Sequence, residues 1–377
     1  MADFASYQSP FSWRYGSPAM RGIWSEENKR KLWRRLWLAL AEAQVEWNLV
    51  TPAQLDELKA HADEVDVARA LEIEAVNHHD LMAELKVYAA QCPNAGGALH
   101  LGATSMDIKD NAEVLQMRQS LDLLLPQLAE LLQTFAAKIE TYADLPVLAF
   151  THLQPAEPTT LGYRLAAYAQ DLLADYEALA RLRGGLKGKG FKGAVGTAAS
   201  YVMLYGEDGQ RRLEEKLSQS LHLPFFDVAT QTYSRKQDYT LLCALAGLAA
   251  TCAKFAFDLR LLQSEVIGEL GEPFGAQQVG SSAMPFKRNP IESEKIDSLA
   301  RAVSAAPLTA WHNYAGSLLE RTLDDSANRR TLFPETFLAL DEILASMQTI
   351  VSGLRVNETA IKANLAKFGP FAATERL

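Results

Sequence analysis

One run of sequence limits the possible folds more than any other. From Asp107 onward, apolar residues recur at helical spacing through Leu115, Met117, Leu121, Leu124, Leu128, Leu131, Leu132 and Phe135. That spacing belongs to an α-helix with one buried face and does not suit a strand. Thr104 or Ser105 stands where an N-cap is needed, and Pro126 marks a place for a kink. A helix this long exceeds the globular mean of about 11–12 residues. It buries its face only against partners of similar length. The chain supplies them: a second long pattern from about Thr160 to Leu186, then helical stretches near 206–221, 235–270, 290–319 and 331–353. Strand alternation is almost absent. The expectation is an all-α fold with a central bundle of long helices.

The flanking sequence is more broken. Residues 1–22 are irregular and rich in aromatics, Pro and Gly. Ser25 precedes Glu26 and Glu27 as an N-cap, and Leu32, Leu36, Leu40 and Ala43 continue at helical spacing. Thr51-Pro52 starts another helix, and short helices run to about Gln91. Breaks follow at Cys92-Pro93-Asn94-Ala95-Gly96-Gly97 and at Asp144-Leu145-Pro146. Gly184 to Gly196 reads as a glycine- and lysine-rich connector; it carries no GxxxxGK[ST] string and so no phosphate-binding loop of that type.

Composition narrows function. The 377 residues leave room for two or three domains. A net charge of −9 argues against non-specific nucleic-acid binding, so an anionic ligand must be held by local cations. Cys92, Cys243 and Cys252 show no CxxC spacing, and Cys243 and Cys252 are expected to be buried thiols. A reducing, cytoplasmic location fits. The N-terminus, with Asp3, lacks the apolar core of a signal peptide. The longest apolar run, Leu241 to Ala253, is too short to span a bilayer and is broken by Lys254 and Asp258.

Chemistry-bearing residues cluster in separated stretches. The most informative is Gly280-Ser281-Ser282-Ala283-Met284-Pro285-Phe286-Lys287-Arg288-Asn289-Pro290. Its first part is turn-rich and reads as a loop from about 275. Asn289, Pro290 and Glu292 then read as N-cap, first helical residue and capping-box acid. A loop with two hydroxyls and a lysine feeding a helix N-terminus suits a carboxylate or phosphate. The other stretches are Asn77-His78-His79-Asp80, Gly102-Ala103-Thr104-Ser105 and Phe150-Thr151-His152-Leu153-Gln154-Pro155-Ala156. His78 and His79 lack a third metal ligand at a suitable spacing, so no metal is expected. Asp80 is expected to fix the tautomer of His79 or to cap a helix starting at Leu81. A last stretch, Glu320 to Arg330, offers Arg321, Ser326 and Arg330, the inventory of a phosphate site. Arg14 and Tyr15 add a cation and a phenol.

These stretches, in this order, resemble the adenylosuccinate lyase family of the fumarase/aspartase superfamily, in its eukaryotic-type branch. The resemblance rests on Arg14-Tyr15-Gly16-Ser17, His79-Asp80, His100-Leu101-Gly102-Ala103-Thr104-Ser105, Phe150-Thr151-His152, Gln231-Thr232-Tyr233-Ser234-Arg235-Lys236, the 280–290 string and Arg321 to Arg330. It implies a three-domain helical fold: residues 1–103, a central bundle of 104–356 with its loop at 275–290, and the start of a truncated C-terminal domain at 357–377. It also implies homotetramers whose active sites draw on three subunits.

The implied reaction is elimination of fumarate from adenylosuccinate and from the succinylated aminoimidazole carboxamide ribotide, without metal or organic cofactor. By resemblance, Ser281 is the base and His152 the acid. Lys287 and Asn289 hold the carboxylate that gains charge. Thr104, Ser105 and Gln231 hold the succinyl part, with His79 and Asp80 near the reacting nitrogen. Arg14, Tyr15, Arg321, Ser326 and Arg330 take the phosphate and ribose end. Two positions depart from the family pattern: Lys295 and His78 stand where relatives carry Arg, or Arg or Lys. Relatives also continue beyond Arg376-Leu377. Argininosuccinate lyase chemistry, or a non-catalytic tetramer keeping the fold, are the competing readings.

Overall fold

The structure, a computed structural model, describes residues 5–284 and 286–372. Pro285 of the loop string and the Arg376-Leu377 ending lie outside the described residues. Twelve α-helices run in chain order among the described residues: α1 (Pro18–Ile23), α2 (Glu26–Gln44), α3 (Pro52–His61), α4 (Val67–Asn77), α5 (Asp80–Gln91), α6 (Ser105–Thr141), α7 (Leu161–Gly185), α8 (Ala199–Leu221), α9 (Lys236–Leu262), α10 (Ile291–Ala315), α11 (Ser326–Ser352) and α12 (Glu358–Phe368). The all-α expectation holds.

The 37-residue α6 is the axis. It begins where the sequence provides a cap: the Thr104 N–H donates to the Asp107 carboxylate at 3.0 Å. Pro126 lies inside it without ending it. Ile108, Leu115, Leu121, Leu124, Leu128, Leu131 and Phe135 form its buried stripe. α7 and α11 pack along α6, α9 packs on α7 and α10, and α10 packs on α11. These five helices are the bundle. At about 1.5 kcal/mol or more per fully buried Leu or Phe, stripes of this length dominate its stabilisation.

Helix α9 is long and apolar enough, by length and composition, to cross a membrane. Lys254 and Asp258, which end the apolar run, lie within this helix. Its Leu241, Leu245, Leu248, Cys252, Phe255 and Leu259 are buried in the bundle. Elsewhere the bundle leaves apolar side chains uncovered, among them Phe257 on α9 and Leu308, Trp311 and Tyr314 on α10.

Two features depart from the sequence expectation. Strands β1 (Pro146–Thr151) and β2 (Gln154–Thr160) form an antiparallel hairpin between α6 and α7. Pro146, Pro155 and Pro158 hide its alternation, yet prolines are tolerated where a strand has no outer neighbour. β3 (Leu270–Gly271) and β4 (Arg355–Val356) make a second short pair. Cys243 is partly exposed, whereas Cys92 and Cys252 are buried.

Candidate active site

The N-terminal ends of α5, α6 and α11 converge on one half-open pocket of about 150 Å³. Asp80 begins α5 and is 7% exposed. Its carboxylate accepts from Lys109 Nζ at 2.8 and 3.0 Å and from Arg330 Nη2 at 3.1 Å. Burial by itself would raise this carboxyl; Lys109, the Leu81 N–H and Arg330 outweigh it and hold the group below its ordinary range. Asp80 is therefore a fixed anion that aims two cations. It is not the helix cap. That role falls to His79, whose Nδ1 accepts from the Met82 N–H at 3.3 Å. His79 Nε2 lies 3.3 Å from Ser105 Oγ, so two expected substrate-binding residues touch. His78 ends α4 in the left-handed region. The adjacent histidines thus belong to different helices. Among the described residues no three His, Cys, Asp or Glu side chains gather in a way that could hold a metal.

Arg321, Ser326 and Arg330 line the same pocket. Below them runs a buried ionic network that sequence reasoning did not find. Asp325 accepts from Arg321 Nη1 at 3.0 Å and from Arg235 Nε at 2.9 Å. Arg235 Nη2 donates to Asp110 at 3.1 Å. Arg329 pairs with Asp238 and Glu113 and donates to the Tyr233 hydroxyl at 3.0 Å. Burial pushes that phenol up to about 12. Lys29 also lines the pocket, its ammonium lowered by burial despite its Glu26 partner. The signal for the network was present: Asp107, Asp110 and Glu113 recur every third residue on α6, interrupting an otherwise apolar face.

Thr104 and Ser105 are held from behind. Asp107, fully buried, accepts from Lys189 Nζ at 2.5 Å, from the Tyr201 hydroxyl at 3.1 Å and from the Lys192 and Gly193 N–H groups at 3.2 Å. The glycine-lysine connector is thereby a backstop for the α6 N-terminus. Gln231 donates to the Ala194 carbonyl at 3.0 Å on the same connector.

The remaining residues lie apart. Ser281 Oγ accepts from the Ala283 and Met284 N–H groups at 3.3 and 3.1 Å. Asn289 does not cap α10, which starts at Ile291; its amide donates across the loop to the Gly280 carbonyl at 2.9 Å. The cap comes from Glu272, whose carboxylate accepts from the Glu292 and Ser293 N–H groups. Glu292 is no capping-box partner. Lys287 is exposed on the same loop. Lys295 pairs with Glu292 at 2.8 Å and Glu342 at 2.7 Å. Burial would lower its ammonium, but these two acids more than offset that and raise it. Glu342 also accepts from the Gly16 N–H at 3.1 Å, which brings the Arg14-Tyr15 segment to the Lys295 end of α11. His152 sits at the tip of the β1–β2 hairpin. His152 (φ 53°) and Leu153 (φ 60°) both occupy the left-handed region, as a two-residue primed turn requires. Among the described residues no hydrogen bond or ion pair joins His152, Ser281 and the Asp80 pocket within this one chain.

A lyase family model matches residues 14–304. The chain is 42% identical to adenylosuccinate lyase of Schistosoma mansoni, over all of this chain and 79% of that protein. The chain belongs to the adenylosuccinate lyase family. The Saccharomyces cerevisiae adenylosuccinate lyase is 39% identical over the same shares. Among solved structures, the 3-carboxy-cis,cis-muconate lactonizing enzyme of Pseudomonas putida superposes with a TM-score of 0.88 at 27% identity, covering 98% of this chain and 82% of that one. As a member of the adenylosuccinate lyase family, this chain is a lyase, and the long-helix bundle is that of the wider superfamily.

Proposed function

We propose that this enzyme cleaves adenylosuccinate to AMP and fumarate, and cleaves the succinylated aminoimidazole carboxamide ribotide in the same way. The observation that carries the reading is the Asp80 pocket. Arg321, Ser326 and Arg330 line it together, with Asp80 and Asp325 fixing the guanidinium groups. Such a set suits a phosphate on a small molecule.

Ser281 takes the proton from the carbon beside a succinyl carboxylate. The electron pair enters that carboxylate, which Lys287 and Asn289 hold as it gains charge. The pair then returns to form the carbon–carbon double bond as the C–N bond breaks, and His152 gives the departing nitrogen its proton. A serine is a weak base at its ordinary pKa. Two N–H donors aimed at Oγ favour its alkoxide, as does the exclusion of water when the loop closes. Thr104, Ser105, Gln231 and His79 orient the succinyl-amine; Arg14 and Tyr15 complete the phosphate and ribose end, and Lys295 bears on the relative handling of the two substrates.

The separation of His152 and Ser281 from the pocket supports a site assembled from several subunits, in a homotetramer. The uncovered apolar residues of α9 and α10 supply surface for that assembly. The reading includes a cytoplasmic location and the domain division at 103 and 356.

The test is fumarate release from adenylosuccinate and, separately, from argininosuccinate. Release from adenylosuccinate alone is expected. Release from argininosuccinate alone would overturn the phosphate assignment.

A further inference from the structure

The chain leaves the bundle for the Ser281 loop at Glu272 and returns at Arg288, and one side chain joins the two points. Gln263, directly after α9, accepts the Glu272 N–H through Oε1 at 2.8 Å and donates through Nε2 to the Arg288 carbonyl at 3.1 Å. Glu272 completes the closure. It is 3% exposed, and its carboxylate accepts from the Glu292 N–H at 3.2 Å and the Ser293 N–H at 2.5 Å. Among the described residues it makes no ion pair. Its charge is balanced by the free N–H groups and dipole of α10. Its own carbonyl accepts from Arg355 Nε at 2.5 Å, on the strand that pairs with Gly271. A second pinch lies above: Asn289 holds the Gly280 carbonyl, and a side chain on Gly280 would start 1.9 Å from the Lys287 carbonyl oxygen.

We infer that Gln263 and Glu272 are positioning residues of the lyase reaction. Together they form a clamp that fixes the base of the loop, so that each closure returns Ser281 to one place. The inference rests on the assignment of Ser281 as base. Its physical basis is that the loop between the clamped points loses freedom before substrate arrives. Misplacing a reacting group by about 1 Å costs on the order of 100-fold in rate. Neither residue needs to touch substrate.

The test uses Glu272→Gln and Gln263→Glu in the full chain. The first turns one acceptor oxygen into a donor facing N–H groups; the second sets a carboxylate against the Arg288 carbonyl. Gln263→Ala is a third variant, which leaves the Glu272 carboxylate intact should either of the others fail to fold. Trypsin cleavage after Lys287 and Arg288 reads the loop without reference to activity. Faster cleavage is expected. With it, kcat should fall roughly 10- to 100-fold while KM stays within about twofold. Wild-type cleavage with wild-type kcat would overturn the clamp. A lower Tm with unchanged kcat per folded site would reduce it to a structural role and overturn the positioning assignment. Faster cleavage alongside normal turnover by Ser281→Ala would show a loop anchor with no part in the chemistry, and would place the failure in the Ser281 assignment.

Discussion

The hydroxyl of Ser281 accepts the backbone N–H of Met284 at 3.1 Å. A hydroxyl used as an acceptor is already in the environment its alkoxide prefers. Ser281→Ala is expected to lower kcat by about 100-fold or more, the range for loss of a general base. Substrate affinity, measured by calorimetry on the variant, should be nearly unchanged. Wild-type turnover would remove Ser281 from the mechanism.

Mixing Ser281→Ala with His152→Ala should restore activity if sites are shared. Each variant alone is expected to be inactive. Hybrid tetramers formed by unfolding and refolding the mixture should contain some sites with both groups intact. Absence of recovery, with subunit exchange demonstrated by tagged chains, would argue for a site within one chain.

Arg330 reaches the pocket from a half-exposed position and is held there by Asp80. Arg330→Ala should raise KM for a phosphorylated substrate about tenfold or more, the loss of one charge-assisted hydrogen bond, with a smaller change in kcat. An unchanged KM in steady-state assays would refute the phosphate role.

Arg235 lies between Asp110 and Asp325, all three buried. Arg235→Met leaves two carboxylates without their shared cation. The expected loss is about 3–5 kcal/mol of stability, read by urea denaturation. A loss below about 1 kcal/mol would show that the two carboxylates find other partners or protonate cheaply.

His100 gives a pH dependence with a defined sign. Burial lowers its pKa below the ordinary 6.5, and its Nδ1 accepts from Trp37 Nε1 at 2.9 Å. The folded state therefore holds it neutral, while the unfolded chain takes up a proton near the ordinary value. Its contribution is fully present above that value and is lost as pH falls towards the folded-state pKa. The slope cannot exceed about 1.4 kcal/mol per pH unit. Tm measured from pH 7.5 to 5.5 (about two units) should fall less steeply in His100→Asn, since Asn tolerates the left-handed backbone at that position. Equal slopes would exclude His100 as a source.

The bundle was legible because burial imposes a period on the sequence, and α6, α7 and α11 follow it. Asp80, Arg321, Ser326 and Arg330 were legible as chemistry-bearing residues, but not the geometry that brings them to one pocket. Asp80 finds Lys109 across the fold, and Glu272 caps a helix starting well along the chain. Neither pairing leaves a local pattern. Asn289 looked like a cap because its neighbours, Pro290 and Glu292, suit a helix start. The loop claims its amide instead. The hairpin was hidden by its prolines, and with it the setting of His152.

That setting has a consequence for inheritance. At two adjacent left-handed positions, Gly, Asn and Asp are the replacements the backbone accepts best. Of these, Gly and Asn carry no titratable group, and the carboxyl of Asp ordinarily titrates well below an imidazole. With His152 as the acid of the proposed mechanism, variants there should therefore persist in cells as abundant, folded protein with little turnover. A survey that ranks alleles by protein level would pass over them, and only one that ranks them by product formed would find them.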